Sequence, residues 1–321
     1  MDLDIFKKAQ NNLKGVINET PMQFSKSFSE IYGGKVYLKP ENLQKTGSFK
    51  IRGAYHCISQ LSERERNKGI IAHSSGNHAQ GVAYAAKKFN IPATIIMPVG
   101  APKAKVEATK GYGAKVIQYG TNSEEMQKKV DELQLLHGYT FVHPFKDEKV
   151  IAGQGTVGLE IMEELPNADA VVVSVSGGGL ISGIAAAVKN INSKVKIYGA
   201  QPENSNSMYL SFKNRKLCSI NSIDTIADAL ITKKTEQINL DMCLEFVDEI
   251  ILVSEEEIIE SCIVAAERAK LIVEPGGAVA LAAVLNDKVP VHGKIVIVLS
   301  GGNINFNFFA TAIKNRNTLN I

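Results

Sequence analysis

Residues 170–190 read AVVVSVSGGGLISGIAAAVKN, and this stretch predicts the architecture of the chain. It begins as a continuous apolar run rich in valine, which is typical of a strand buried on both faces of a parallel sheet. Three glycines follow, and the residues after them form an apolar helical pattern. Because strands and helices alternate in this way in parallel sheets covered by helices, the stretch predicts an α/β fold.

The same alternation extends along the rest of the chain. Stretches with helical spacing of apolar residues, such as 77–90 and 122–138, separate short apolar runs. The runs with strand character are KVYLKP (35–40), GIIAHSS (69–75), ATIIMP (93–98), KVIQYG (115–120), TFVHP (140–144), AVVVSVS (170–176), KIYGAQP (196–202), EIILVS (249–254) and KIVIVLS (294–300). We therefore expect parallel-rich twisted sheets covered by helices.

Composition excludes several classes of protein. The 321 residues are 45% hydrophobic and 21% charged, which allows a sizeable core in two domains or one large α/β unit. The net charge is only +3 with mixed signs along the chain, so we expect no nucleic-acid partner. The mildly basic run of Lys103, Lys105, Lys110 and Lys115 is interpreted as a solvated helix face. No stretch is long and apolar enough to span a bilayer, and the N-terminus lacks the apolar segment of a signal peptide, so we expect no membrane partner.

The cysteines favour a reducing compartment. They occur at Cys57, Cys218, Cys243 and Cys262. None forms a CxxC pair and no histidine cluster accompanies them, so neither a zinc site nor a disulfide framework is expected. Reduced thiols are typical of a cytoplasmic protein.

Three loops at the carboxyl ends of predicted strands are candidates for chemistry, because ligands gather at these ends in parallel sheets. They are HSSGNHAQG (73–81), SVSGGGLISG (174–183) and LSGGN (299–303). In the second loop, glycines before a helix N-terminus let backbone N–H groups converge on an anion, typically a phosphate. Tight packing of the helix on the strand is the alternative explanation of these glycines.

Two features that nucleotide-binding loops have are missing here, which limits the kind of phosphorylated ligand that the glycine loop could bind. The glycine loop lacks the GK[ST] ending of a Walker loop. A dinucleotide fold would have an acidic residue after the next strand, but that residue is Gln201. The loop therefore indicates a small phosphorylated cofactor rather than a nucleotide.

A lysine within KTGSFKIRGA (45–54) has two interpretations. In the simpler one, Thr46 or Ser48 caps a helix and Lys50 faces water. In the other, Lys50 is a buried amine that reacts with a carbonyl compound after losing its proton. On this stretch alone the simpler interpretation is favoured, because cap residues before a helix are common.

An ordered set of motifs favours the second interpretation. The blocks are LKPENLQKTGSFKIRGA, GNHAQGVA, MPVGAPKAKVEATKGYGA, VIAGQGTVGLEI, SGGGLISGIA, TIADA and LSGGN. From about Asn12 to Asn303 the chain resembles the fold type II pyridoxal-phosphate enzymes (tryptophan synthase beta-like), in the threonine/serine dehydratase and serine racemase branch. It is most similar to the short catabolic threonine dehydratases.

The resemblance implies pyridoxal 5′-phosphate as cofactor and a role for each of several residues. Lys50 would hold the cofactor covalently and take the Cα proton of the substrate. Cofactor contacts would come from Phe49, Asn77, Ser176, Gly177, Gly178, Gly179, Leu180, Glu274 and Ser300. The substrate carboxylate would bind at Ser74, Ser75, Gly76, Asn77 and His78. A serine at position 300 makes the cofactor a weaker electron sink than a carboxylate would, which favours β-elimination or epimerisation over transamination.

Ser75 leaves the reaction open between two activities. The resemblance implies deamination of L-threonine and L-serine to 2-oxo acids and ammonia, and many such dehydratases have alanine at this position. Serine racemases have serine there, and inversion at Cα needs proton-transfer groups on both faces. The alternatives are therefore a serine racemase with dehydratase side activity, or a 3-hydroxyaspartate dehydratase. A catalytically silent relative that acts as a scaffold is a further alternative.

No metal is expected. Eukaryotic-type racemases bind a divalent cation through acidic side chains, but the matching positions here are Gln201 and Ser207, which are poor ligands for a hard cation. The resemblance also implies a homodimer or homotetramer. It implies a large cofactor-binding domain of residues 1–51 plus 145–321, and a small inserted α/β domain of residues 52–144.

Overall fold

The computed structural model describes residues 1–316, and ten strands and fourteen α-helices are found in that range. The strands are β1 (Gln23–Ser25), β2 (Lys35–Lys39), β3 (Ile70–His73), β4 (Ala93–Met97), β5 (Lys115–Gln118), β6 (Thr140–Phe141), β7 (Ala170–Ser174), β8 (Lys196–Pro202), β9 (Glu249–Val253) and β10 (Lys294–Val298). The helices are α1 (Leu3–Leu13), α2 (Lys26–Tyr32), α3 (Lys50–Ser59), α4 (Glu63–Lys68), α5 (Asn77–Lys88), α6 (Lys103–Gly111), α7 (Ser123–His137), α8 (Glu148–Glu164), α9 (Gly179–Ile191), α10 (Ser207–Asn214), α11 (Gln237–Phe246), α12 (Glu255–Val264), α13 (Pro275–Leu285) and α14 (Phe306–Arg316).

The strands form two sheets. The larger has the order β1-β2-β10-β7-β8-β9, and the smaller has the order β5-β4-β3-β6. Every pairing between named strands is parallel except that of β1 with β2, which is antiparallel. The predicted α/β class is therefore confirmed, and each predicted strand run contains a strand. Only β1, a three-residue edge strand, was not predicted, because QFS is too short to show a period.

Local signals explain where several helices begin. The Asp2 side chain accepts a hydrogen bond from the Ile5 N–H at the start of α1. Helices α4 and α12 both begin with capping boxes, formed by Ser62 with Glu65 and by Ser254 with Glu257. Such caps satisfy N–H groups that have no partner within the helix.

Helices cover both faces of the larger sheet. Along β7, Ala170 and Val172 belong to an apolar cluster with residues of α12 and α13. Val171 and Val173 belong to a second cluster with residues of α8 and α9. Since both faces are buried, the strand has the continuous apolar sequence from which it was predicted. Within residues 1–316, no helix combines the length and apolar character needed to cross a membrane.

The two sheets draw on different parts of the chain. Strands of the larger sheet lie within residues 23–39 and 170–298, and those of the smaller sheet within residues 70–141. Helix α3 starts at Lys50 and packs on both α5 and α8, so it lies at the junction of the two parts. The predicted domain boundaries at 51/52 and 144/145 stay a prediction. The last five residues of the predicted large domain lie outside the described range.

A buried cluster of charges fixes the start of α3. Arg52, which has no exposed surface, donates from Nε to Glu41 Oε2 at 2.7 Å and from Nη1 to Glu160 Oε1 at 2.6 Å. The equally buried Lys39 lies 2.7 Å from Glu160 Oε2. Burial alone would lower the pKa of Arg52, but the two carboxylates raise it above its ordinary value. These ion pairs join the start of α3 to Glu160 of α8.

Replacing Arg52 by methionine should destabilise the protein by about 3–5 kcal/mol, because Glu41 would remain buried without its partner. Urea unfolding followed by circular dichroism measures the loss. Arg64→Met, on the exposed side of α4, is the matched control and should change stability by less than about 0.5 kcal/mol. Equal stability of the two variants would contradict the structural role of the cluster.

Candidate active site

Lys50 is half-buried, and its amine is directed towards a protein oxygen. Helix α3 begins without a side-chain cap, since its N-cap is Phe49, so the simpler interpretation with Thr46 or Ser48 as cap is wrong. The Lys50 Nζ donates to the carbonyl oxygen of Pro144 at 2.9 Å and lies 5.1 Å from the centre of the Phe49 ring. Desolvation lowers the pKa of Lys50 to about 8. A neutral, nucleophilic amine is thus accessible near neutral pH.

The glycine loop forms the start of α9. Gly178 is the N-cap, with a φ of 101° that favours glycine, and Gly179 is the first helical residue. Leu180 follows, and it is buried. The first N–H groups of a helix have no intrahelical acceptor and carry partial positive charge, so this loop can bind a phosphate. Ser176 Oγ lies beside it, 2.7 Å from Thr232 Oγ1.

One aromatic residue connects the lysine with the glycine loop. Phe145 follows Pro144, the acceptor of the Lys50 amine, and packs on the loop. A Cβ on Gly177 would lie 2.6 Å from the Phe145 ring, and a Cβ on Gly179 would lie 2.9 Å from the Phe145 Cα. The close packing at these two glycines is therefore against Phe145, not between the helix and the strand, and it is compatible with an anion cradle.

Ser300 lies beside the start of α3. The Phe49 N–H donates to the Ser300 carbonyl at 3.1 Å, and Ser48 forms an isolated bridge with Gly301. The Ser300 side chain is buried, and its Oγ has only a long 3.5 Å contact with the Gly276 carbonyl. The hydroxyl is therefore available for a stronger hydrogen bond to a ligand.

Asn77 and Glu274 form a buried pair. Asn77 is the first residue of α5, and its Nδ2 donates to Glu274 Oε1. The other carboxyl oxygen, Glu274 Oε2, has no hydrogen-bond partner among residues 1–316. Burial raises the pKa of Glu274 to about 7; Lys105 and the Asn77 hydrogen bond oppose the shift, while Asp228 adds to it.

The loop before α5 is the one expected to bind the substrate carboxylate, and two of its N–H groups already have partners. Ser74 Oγ accepts a hydrogen bond from the Gly76 N–H at 3.1 Å, and the Ser74 N–H donates to the Ile96 carbonyl. Ser75, between Ser74 and Gly76 in the sequence, is half-buried. The first N–H groups of α5, from Asn77 onward, can receive an anion. His78 is buried and its Nε2 lies 2.9 Å from the Val142 carbonyl.

An ion pair beside this loop was not predicted. Lys105 of α6 lies 2.6 Å from Asp228 and joins the smaller part of the chain to the segment after α10. Its side chain also covers the loop, because a Cβ on Gly76 would lie 2.8 Å from Lys105 Cδ. The interpretation of Lys105 as part of a solvated helix face is wrong, since the side chain is buried.

Histidines distant in sequence come together near Lys50. His143 Nδ1 accepts hydrogen bonds from the N–H groups of Phe145 and Lys146, which shapes the turn that carries the acceptor of Lys50. Burial lowers the pKa of His143 to about 2 and that of His78 to about 3, with Lys50 adding to both shifts. Both rings are therefore neutral. No spacing in the sequence signals this grouping.

The residues present fit a phosphorylated aldehyde. The desolvated Lys50 amine suits a carbonyl carbon, the loop at Gly177–Gly179 suits a phosphate, and the Ser300 hydroxyl suits a ring nitrogen. No group of three or more metal-ligating side chains occurs in the described part of the chain. At the positions considered for a cation, Gln201 Oε1 accepts from the Tyr209 N–H and Ser207 Oγ donates to the Thr232 carbonyl.

Comparison with known proteins gives a consistent result. The family described as "Pyridoxal-phosphate dependent enzyme" matches residues 13–301. An L-threonine ammonia-lyase of Thermotoga maritima is 49% identical over 306 residues, which cover 95% of this chain and 76% of that protein. The catabolic L-threonine dehydratase TdcB of Escherichia coli is 43% identical over 308 residues, which cover 95% of this chain and 94% of that protein.

A solved structure is similar over nearly the whole chain. Maize serine racemase superposes with a TM-score of 0.93 at 36% sequence identity, covering 98% of this chain and 97% of the racemase. The likeness therefore extends to the α/β fold with its two sheets.

Replacing Glu274 by glutamine should stabilise the protein without added cofactor more at about pH 8.5 than at about pH 5.5. The folded pKa of about 7 lies above the ordinary 4.5, so ionisation of Glu274 opposes folding as pH rises through that range. Glutamine keeps an oxygen acceptor for Asn77 and carries no charge. Thermal melts measure the difference, with the exposed Glu245→Gln as control. A pH-independent difference would contradict the raised pKa.

Proposed function

The chain belongs to the pyridoxal-phosphate dependent enzyme family, and on that premise we propose that it is a deaminating dehydratase of hydroxy amino acids. It converts L-threonine to 2-oxobutyrate and ammonia, and L-serine to pyruvate and ammonia. The observation that carries the proposal is the desolvated Lys50 amine, joined through Pro144 and Phe145 to the glycine loop.

Several residues of the chain would hold the cofactor. When bound, pyridoxal phosphate supplies an aldehyde for covalent attachment and a conjugated ring that stabilises negative charge at the substrate Cα. We assign the attachment to Lys50 beside the Phe49 ring. The backbone N–H groups at Ser176–Leu180 would hold the phosphate. Asn77, paired with Glu274, would donate to the ring oxygen, and Ser300 Oγ would donate to the ring nitrogen.

The substrate is held by the loop before α5. We assign its carboxylate to the Ser74–His78 loop, where the first N–H groups of α5 have no acceptor within the helix and add partial positive charge. The substrate amine would displace Lys50 from the cofactor, and the freed Lys50 amine would take the Cα proton, for which a pKa of about 8 is well matched to neutral pH. The β-hydroxyl would take up a proton and leave as water, and hydrolysis of the resulting enamine would give the 2-oxo acid and ammonia.

Serine racemisation is the second candidate. Ser75 lies in the substrate loop, and its hydroxyl is half-buried, not enclosed in the core. The likeness to maize serine racemase supports keeping this candidate. A hydroxyl on the face opposite Lys50 would return a proton to Cα with inversion. A 3-hydroxyaspartate dehydratase remains the third candidate, since the same loop would bind its α-carboxylate.

We also propose a cytoplasmic homodimer or homotetramer. The cytoplasmic location is supported by the four cysteines, which are free thiols. The oligomeric state follows from the family resemblance, and light scattering tests it.

Replacing Lys50 by alanine should lower 2-oxobutyrate release from L-threonine by about a thousandfold or more, because the amine both attaches the cofactor and moves the proton. Lys45→Ala, an exposed lysine five residues earlier, is the control and should keep normal turnover. Release is followed with pyridoxal phosphate present. Normal turnover by the Lys50 variant would exclude the mechanism.

Replacing Ser75 by alanine should distinguish the two candidate reactions. If the enzyme is a dehydratase, the variant keeps pyruvate release from L-serine within about threefold of wild type, since elimination needs only the Lys50 face. Chiral chromatography of the same reactions measures D-serine. Abundant D-serine from wild type that disappears in the variant would instead establish the racemase.

A further inference from the structure

Asn303 ends the LSGGN loop, and its amide links two parts of the site. Its Nδ2 donates to the Thr46 carbonyl at 2.9 Å and to Asn77 Oδ1 at 2.8 Å. Its Oδ1 side faces Gly47, where a Cβ would collide with that oxygen. Asn303 therefore touches the lysine-bearing segment and the start of α5 at once.

The Thr46 carbonyl fixes the direction of the whole chain of hydrogen bonds. A backbone carbonyl can only accept, so Asn303 must turn its NH₂ group towards Thr46. The same NH₂ group then meets Asn77, which must present its oxygen. The Asn77 Nδ2 is consequently directed to Glu274 Oε1, an acceptor when ionised. The amide orientations thus follow from donor and acceptor chemistry.

A reversed Asn77 amide would break this chain at both ends. Its NH₂ group would oppose the NH₂ group of Asn303, and its oxygen would oppose the Glu274 carboxylate whenever Glu274 is ionised. The backbone of Glu274 is held in place, since its N–H donates to the Gly301 carbonyl at 3.0 Å. Burial of all three side chains, complete or partial, makes either mismatch costly.

We propose that Asn303 is a positioning residue that commits Asn77 to act as a hydrogen-bond donor towards the 3′-oxygen of bound pyridoxal phosphate. The inference rests on the proposed function and adds Asn303 to the residues assigned there. Asn77 Nδ2 has two hydrogens, and Glu274 accepts only one of them. The second favours an ionised 3′-oxygen over a protonated one, because only the ionised oxygen is purely an acceptor.

A purely structural role for Asn303 would change the stability of the protein but not the absorption of the bound cofactor. By holding Thr46 and Asn77 together, the side chain could stabilise the fold without affecting the cofactor's electronic state. Absorption separates the two roles, since pyridoxal compounds with an ionised 3′-oxygen absorb at longer wavelength than those with a neutral one.

The test compares the wild-type holoenzyme with Asn303→Asp. An aspartate carboxylate cannot donate to Thr46 or Asn77, so the Asn77 amide turns its Nδ2 towards residue 303. The long-wavelength share of the absorption should fall, and the dissociation constant of pyridoxal phosphate should rise about tenfold. Asn307→Asp, an exposed site on α14, adds the same charge and should leave both unchanged.

A double variant separates orientation from stability. When Glu274→Gln is combined with Asn303→Asp, the order of donors is reversed. The new amide at position 274 donates to Asn77 Oδ1, and Asn77 Nδ2 donates to the new carboxylate at position 303. The thermal midpoint should recover towards that of Glu274→Gln alone, while the long-wavelength band stays weak. Recovery of the band together with the midpoint would show that Asn303 acts only on stability and would overturn the inference.

The outcomes also separate this inference from the function on which it rests. A wild-type protein that takes up no pyridoxal phosphate, or whose absorption band survives Lys50→Ala, would overturn the proposed function. A wild-type protein with a Lys50-dependent band, in which Asn303→Asp and Asn307→Asp behave alike, would overturn the role of Asn303 alone.

Discussion

The buried ion pairs of Arg52 constrain everything else at the site. They fix the first turn of α3 against Glu41 and Glu160, and Lys50 lies two residues before Arg52 on the same helix. A lysine on a loose segment would turn to water and keep its charge. Because the helix start is fixed, the amine remains desolvated beside Pro144, and its pKa falls to about 8. The ion pairs of Arg52 thus help to hold the Lys50 amine in a position where it loses its proton near neutral pH.

The site lies where the two parts of the chain meet, and polar contacts connect them. Lys50 reaches Pro144, Asn77 reaches Glu274, and Lys105 reaches Asp228. Lys50 and Glu274 differ from the paired charges: burial lowers the pKa of the first and raises that of the second to about 7. Near neutral pH both groups are thus close to their titration points, as groups that bind and exchange protons with ligands commonly are.

The regular elements were predictable, because the physics that forms them is local. Valine-rich runs such as β7 predict strands buried on both faces, whereas β1 is too short for any pattern. The site was predictable only where motifs carry it. Lys50 needed the ordered resemblance, since its own segment taken alone favours an exposed lysine. Asn303, His143 and the partner of Lys105 depend on side-chain contacts between distant residues, which no spacing reveals. The domain boundaries and the individual cofactor contacts stay predictions.

Covalent mapping of the cofactor tests the central claim most directly. The holoenzyme is reduced with borohydride, digested, and analysed by mass spectrometry for a phosphopyridoxyl group. The account predicts the group on Lys50 alone, because this amine combines desolvation with a neighbouring glycine loop. Attachment to another lysine, such as Lys105, or the absence of any modified peptide, would contradict it.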